Sequence, residues 1–207
     1  MLAVDPANPE ATVLREAGRV LAGGGLVVIP TETVYGIAAS ALDPVAVARL
    51  RAAKSRPDTK PLPVMVGGAA DIEVFAAEVP PLALELARRF WPGPLTLVLK
   101  AASGVGEFVE AGSGKVGLRA PDHRVAQGVL AAAGTPLVLT SANLSGEAPA
   151  RTAREALEAL GGRVDLYLDA GPCVLGEPST VLDLTTEPPL ILRAGAIGAD
   201  DLPPATI

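Results

Sequence analysis

Cysteine is all but missing. Cys173 stands alone in 207 residues, which excludes an internal disulfide and a multi-cysteine metal site and makes a reducing compartment the default. Histidine is equally scarce: His123 is the only one, so a Cys–His nucleophile pair is arithmetically open but has no supporting context. Aromatic residues amount to 3%, leaving little for stacking nucleic-acid bases. Basic charge is in the minority. With 17 Lys and Arg against 23 Asp and Glu, the net charge of -6 argues against holding nucleic acid through a global positive field. A polyanionic ligand must therefore be gripped locally. No apolar run approaches the roughly 18 residues of a membrane span, and residues 1–8 lack the basic start and apolar stretch of a secretory signal. A cytoplasmic location without membrane contact is expected. The P-loop, dinucleotide-fingerprint, nucleophile-elbow and zinc-metalloprotease signatures are absent as well.

What is present is the material of a folded domain: 49% hydrophobic and 19% charged residues, with 22 Gly and 20 Pro. Helical and strand patterns alternate from end to end without a linker or repeat, so one domain over residues 1–207 is expected. Asn8 and Pro9 read as an N-cap and first-turn proline opening a helix that stops at Gly23–Gly25. Leu26–Ile29 reads as a buried strand, and Asp43 with Pro44 repeats the cap signal for a helix to about Ala53. Leu62–Val66, Leu95–Lys100, Val116–Arg119, Leu137–Thr140, Leu166–Leu168, Thr180–Leu184 and Leu190–Arg193 read as short strands. Helices are expected near 70–77, 81–90, 124–133 and 152–160, the last with Thr152 and Glu155 in capping-box spacing. The class is α/β. Its sheet should be mixed, because the later strands follow one another too closely for helical crossovers.

Several apolar strands break directly into polar tracts, where loops carry function. In Pro30–Gly36 an extended chain would put Thr31, Thr33 and Tyr35 on one face and Glu32 on the other, giving a row of hydroxyls for a small polar ligand. An ordinary strand-to-turn connection reads equally well. Pro57 and Pro61 stiffen Lys54–Pro61, and an extended segment would aim Lys54 and Arg56 the same way. Three cations on such a loop suit a triphosphate, and the bland alternative is a solvated basic loop. Ser141, Asn143 and Ser145 would share a face after the strand at 137–140, or close a turn. Arg119 ends another strand and could fork onto a carboxylate or sit in a surface ion pair. Strand ends rich in Ser, Thr, Asn, Arg and Lys are expected when they line one concave site.

In order along the chain, Pro30–Gly36 (PTETVYG), Lys54–Arg56 (KSR), Pro92–Leu99 (PGPLTLVL), Gly117–Pro121 (GLRAP), Ser141–Gly146 (SANLSG) and Leu192–Ile197 (LRAGAI) resemble the YrdC-type threonylcarbamoyl-adenylate synthases. The resemblance runs from about residue 10 to 197. It implies a twisted sheet around a large concave cavity, and the short form without a C-terminal extra domain. It also implies an enzyme that condenses L-threonine, bicarbonate or CO2, and ATP into threonylcarbamoyl-AMP with release of pyrophosphate. The product would pass to a separate tRNA threonylcarbamoyl transferase, with weak tRNA contact at most.

Carried over by motif, Lys54, Arg56, Ser141 and Asn143 form the catalytic, phosphate-handling tetrad. Lys60 and Arg193 join them at ATP, while Thr33, Arg119 and Ser179 contact threonine. Met65 receives no contact, and Mg2+ is expected beside the phosphates with unknown ligands. Two other readings are kept: carbamoyl-adenylate chemistry of the hydrogenase-maturation type, and a non-catalytic RNA-binding module using Arg49, Arg51, Lys54, Arg56 and Lys60.

Overall fold

Leu26 and Val28 enter one core while Val27 and Ile29 enter another, the alternation a strand shows when both its faces are covered. The structure, a computed structural model, describes residues 1–202 and 204. Its strands are β1 (Leu2–Ala3), β2 (Val27–Ile29), β3 (Gly36–Ser40), β4 (Val64–Met65), β5 (Leu95–Lys100), β6 (Lys115–Arg119), β7 (Leu137–Ser141), β8 (Leu166–Asp169), β9 (Thr180–Asp183) and β10 (Leu190–Arg193). The α-helices are α1 (Ala11–Ala22), α2 (Pro44–Lys54), α3 (Ile72–Phe75), α4 (Pro81–Phe90), α5 (Glu107–Glu110), α6 (Arg124–Ala133) and α7 (Ala153–Leu160). All the strands join one twisted ten-stranded sheet in the order β1-β8-β2-β3-β7-β4-β6-β5-β9-β10. Parallel pairs (β2 with β8, β4 with β6, β5 with β9) mix with antiparallel ones (β2 with β3, β3 with β7, β5 with β6, β9 with β10). The expected mixed α/β class is observed.

Helices cover both faces. On one side α1 and α6 bury Ala17, Leu21, Val125 and Val129 against Val27, Ile29 and Leu168. Gly18 lets these two helices approach, since a Cβ there would stand 2.6 Å from the Ala132 carbonyl carbon. The other side buries Leu50 of α2, Leu86 of α4 and Leu160 of α7 against Val28, Ile37 and Leu97. No helix among the described residues is long and apolar enough to cross a membrane.

Caps explain most helix boundaries. The Asp43 carboxylate accepts from the N–H groups of Val45 and Ala46 at 2.8 and 3.2 Å, opening α2. Thr152 Oγ1 accepts from Glu155 N–H at 3.1 Å, and the Glu155 carboxylate reaches back to Arg151 N–H at 2.7 Å, opening α7. Gly23 and Gly24 close α1 as expected, with Gly24 at φ 78°. The start of α1 differs from expectation. It begins at Ala11 behind Glu10, without a side-chain cap, because residues 5–10 form a turn of their own. There the Asp5 carboxylate accepts from Ala7 N–H, and Glu10 reaches back to Asp5 N–H. His123 plays the plain role, its Nδ1 accepting from Val125 N–H at the start of α6.

Candidate active site

Residues 30–35 connect β2 to β3, whose Ile29 and Gly36 pair antiparallel, so the polar tract is a hairpin loop and its expected extended course is corrected. Thr31 Oγ1 closes the loop. It accepts from Thr33 and Val34 N–H at 3.2 and 3.3 Å and donates to the Val34 carbonyl at 2.6 Å, a hydroxyl-stabilised turn that competes successfully with strand geometry. The expected row of hydroxyls survives only as a pair, the Oγ1 atoms of Thr31 and Thr33 lying 2.9 Å apart. Tyr35 leaves the row, donating to the Gly171 carbonyl at 2.7 Å and accepting from Ala170 N–H at 3.1 Å. Burial pushes its phenol up to about 12, so it acts as a neutral strut between this hairpin and the β8–β9 loop.

The turn also brings Glu32 inward, although the extended reading gave that side chain no role. Glu32 is 7% exposed, and its Oε1 accepts from Arg119 Nη2 at 2.7 Å. Arg119, the last residue of β6, also donates from Nη2 to Thr33 Oγ1 at 2.8 Å and from Nε to the Gly93 carbonyl at 3.2 Å. Across the sheet, Ser179 precedes β9 and lies 2.9 Å, oxygen to oxygen, from Thr96 on β5. Arg193 at the end of β10 donates to the Ser179 carbonyl at 2.7 and 3.0 Å and to its Oγ at 2.9 Å. This clasp needs Gly195, where a Cβ would fall 2.3 Å from the Pro178 carbonyl oxygen.

Arg119, Ser179, Arg193 and Ser141 line one cavity with Thr31 and Met65. Strand ends supply much of the lining, as expected, but Leu139 and Thr140 from inside β7 line it too. The site therefore spreads over a sheet face and is not confined to one edge of it.

The Lys54–Pro61 segment is built differently from the extended reading. Helix α2 runs to Lys54 and ends on Ser55 in the left-handed conformation, φ 51°, so Lys54 and Arg56 are not neighbours on an extended chain. Lys54 is 2% exposed. Its ammonium donates to the carbonyls of Ser141 and, at 2.6 Å, Asn143, with Asn143 Oδ1 at 3.4 Å. Its own carbonyl accepts from Ser145 N–H at 2.8 Å, so both ends of Lys54 pin the 141–145 turn. Burial, then the Arg56 charge, lowers this ammonium to about 8. Asn143 closes the turn by donating to the Leu144 and Glu147 carbonyls at 2.8 Å, so Ser141, Asn143 and Ser145 do not share an extended face.

Arg51, which the triphosphate reading left aside, staples the basic loop from beneath. It donates to the carbonyls of Pro57, Lys60 and Phe108 at 2.9, 2.8 and 3.0 Å. Arg56 donates to the Pro61 carbonyl at 2.7 Å, and its buried Nε has no partner among the described residues. Lys60 is exposed. Burial lowers Arg56 and Arg193, with secondary contributions from Arg51 and then Arg193 on Arg56 and from Arg119 on Arg193. Neither Arg56 nor Arg193 has an ion-pair partner among the described residues. Together they supply uncompensated positive charge beside the cavity, complementary to a polyphosphate.

No group of three or more His, Cys, Asp or Glu side chains among the described residues could hold a metal ion. The Glu32 carboxylate, behind Arg119, is committed to that guanidinium. Cys173 packs in the β8–β9 loop, and burial pushes its thiol up to about 11, which disfavours the thiolate a nucleophile needs.

Fold and cavity together define an α/β protein with a mixed site on its sheet face, part cationic and part hydroxyl-lined. The chain belongs to the Sua5/YciO/YrdC family: residues 19–195 match the family described as "Telomere recombination". It is 44% identical over 195 residues to the putative threonylcarbamoyl-AMP synthase of Mycobacterium leprae, covering 93% of this chain and 88% of the relative. It is 39% identical over 189 residues to the threonylcarbamoyl-AMP synthase of Pyrococcus abyssi, covering 91% of this chain but 56% of the relative. The structure of P. abyssi Sua5 complexed with L-threonine superposes with a TM-score of 0.93 at 38% identity, covering 97% of this chain and 58% of that one. The chain thus spans little more than half of the archaeal relative and most of the mycobacterial one.

Proposed function

We propose that this chain makes threonylcarbamoyl-AMP from L-threonine, bicarbonate or CO2, and ATP, releasing pyrophosphate. The observation that carries this reading is the cavity itself: Arg193, a guanidinium without a carboxylate partner, lines it together with Arg119, a guanidinium held by Glu32, Thr33 and Gly93, and the Arg56 charge acts beside Arg193. A triphosphate and an amino acid are substrates of suitable charge for those two environments. The names of the relatives, and the threonine bound by the archaeal one, point the same way.

In this reading the threonine carboxylate is held by Arg119, with Thr33 and Ser179 presenting hydroxyls nearby. The threonine amine attacks CO2, losing a proton and forming an N–C bond, and the resulting carbamate oxygen attacks the α-phosphorus. The bond from phosphorus to the bridging oxygen breaks and pyrophosphate departs. Little covalent chemistry is asked of the protein. Orientation of the two substrates and neutralisation of phosphate charge by Arg56, Arg193 and Lys60 supply the acceleration. Ser141 and Asn143 shape the turn beneath the phosphates, held by Lys54. Mg2+ would come bound to ATP, since the described residues hold no group of three or more His, Cys, Asp or Glu side chains that could bind it.

We also place the product's consumer outside this chain, as a separate tRNA threonylcarbamoyl transferase in the cytosol. The test is pyrophosphate release with each substrate omitted in turn. Release requiring threonine, bicarbonate and ATP together supports the reading. Release without threonine points to a different adenylation, and undiminished turnover by Arg56→Ala would remove the role given to that cation.

A further inference from the structure

Glu32 poses an electrostatic question. A carboxylate against Arg119 cancels part of the positive charge that an amino-acid carboxylate would seek, so charge alone argues against keeping one there. It is also costly in itself: Oε2 is buried without a hydrogen-bond partner, and leaving a buried acceptor unsatisfied is unfavourable. The contact must therefore contribute something that charge does not.

Geometry supplies it. Arg119 has five N–H donors. Nε is taken by Gly93, and both Nη2 hydrogens by Glu32 and Thr33. Nη1 alone makes no hydrogen bond among the described residues, and Arg119 lines the cavity. Arg193 lines the same cavity, and like charges repel, so a partner that fixes Arg119 holds it facing the site against that repulsion. A long side chain held in one rotamer before the ligand arrives loses less entropy on binding.

We propose that Glu32 is a positioning residue for amino-acid recognition: by engaging Nη2 it locks the Arg119 guanidinium so that only the Nη1 edge faces the substrate carboxylate. This rests on the function proposed above. It adds that the carboxylate is taken by one edge, Nη1, and that a residue lining no part of the cavity sets affinity for threonine. Glu32 is itself held in place, because its carbonyl accepts from Leu175 N–H at 2.8 Å.

The test compares wild type with Glu32→Gln and Glu32→Asp, using calorimetric binding of L-threonine and of L-threoninamide, which lacks the carboxylate. Steady-state KM values for threonine and ATP are measured alongside. Wild type should prefer threonine to the amide. Each variant should lose roughly tenfold in threonine affinity, keep its affinity for the amide, and leave the KM for ATP within about twofold. In an Arg119→Ala background Glu32→Gln should add nothing further. Circular dichroism melts identify a variant that has not folded, and Glu32→Asp then carries the test because it keeps the charge and withdraws the contact. Unchanged threonine affinity, an equal loss for threonine and the amide, or additive effects with Arg119→Ala would each overturn the positioning role while leaving the proposed synthesis intact. Wild type that binds no threonine would overturn both.

Discussion

At the scale of the residue, Lys54 shows how far identity and role can separate. A lysine two positions before an arginine at the end of a helix reads as half of a phosphate grip. The structure buries it among carbonyl oxygens, where it also holds the 141–145 turn. The missing signal was three-dimensional: nothing in the local sequence says that the 141–145 turn passes beneath the end of α2. Glu32 is the converse case, given no function by strand alternation and brought to Arg119 by a hydroxyl turn.

The buried ammonium predicts a distinctive pH dependence. Its folded-state pKa is lowered from 10.5 to about 8. Below 8 both folded and unfolded chains hold the proton, and the folded state bears the full desolvation cost. Between 8 and 10.5 the unfolded chain is the more protonated, so this group's contribution makes stability rise with pH across that window. Urea unfolding at pH 7 to 10.5 should show this component in wild type and lose it in Lys54→Met. Activity should move the opposite way, falling as pH passes about 8, because the turn loses a charged donor. Replacing Lys54 with Ala should cost turnover on the order of 100-fold, by misplacing the 141–145 turn that it holds.

At the scale of the element, caps and breakers are the most legible features. Asp43, Thr152 and the Gly23–Gly25 run mark boundaries that the structure places within a residue or two of expectation. Asp43→Ala should cost about 1 kcal/mol by chemical unfolding while leaving turnover unchanged, since it removes only the cap of α2. Hairpin pairing is less legible. The loop at 30–35 reads as strand because Thr and Val are good β-formers, but the register of β2 on β3 leaves those residues unpaired. Tyr35 then ties that loop to the β8–β9 loop. Tyr35→Phe should destabilise the fold by roughly 1–3 kcal/mol and speed amide exchange at Ala170. Unchanged exchange there would show that the strut carries no tension between the loops. At the other end of the cavity, Gly195→Ala should push β10 away from Ser179 and raise the KM for ATP.

At the scale of the whole molecule, a net charge of -6 coexists with a cationic cavity because the arginines are deployed in two ways. Arg49 is paired with Asp165 and the Gly24 carbonyl, and Arg51 and Lys54 are spent on backbone carbonyls. Three of the five cations that an RNA-binding surface would use are thus engaged by other groups of the chain, leaving Arg56 and Lys60 of that set, joined by Arg193, for a compact polyanion. The mixed α/β class is legible from strand spacing. The ten-stranded order is not, because pairs such as β4 with β6 or β5 with β9 depend on contacts distant in sequence.

The most direct measurement is mass spectrometry of the product formed from 13C-bicarbonate, L-threonine and ATP. If this chain makes threonylcarbamoyl-AMP, one species should carry threonine, AMP and a single 13C, and should vanish when any one of the three substrates is omitted. AMP formed without incorporation of the label, or labelled product appearing without threonine, would contradict it.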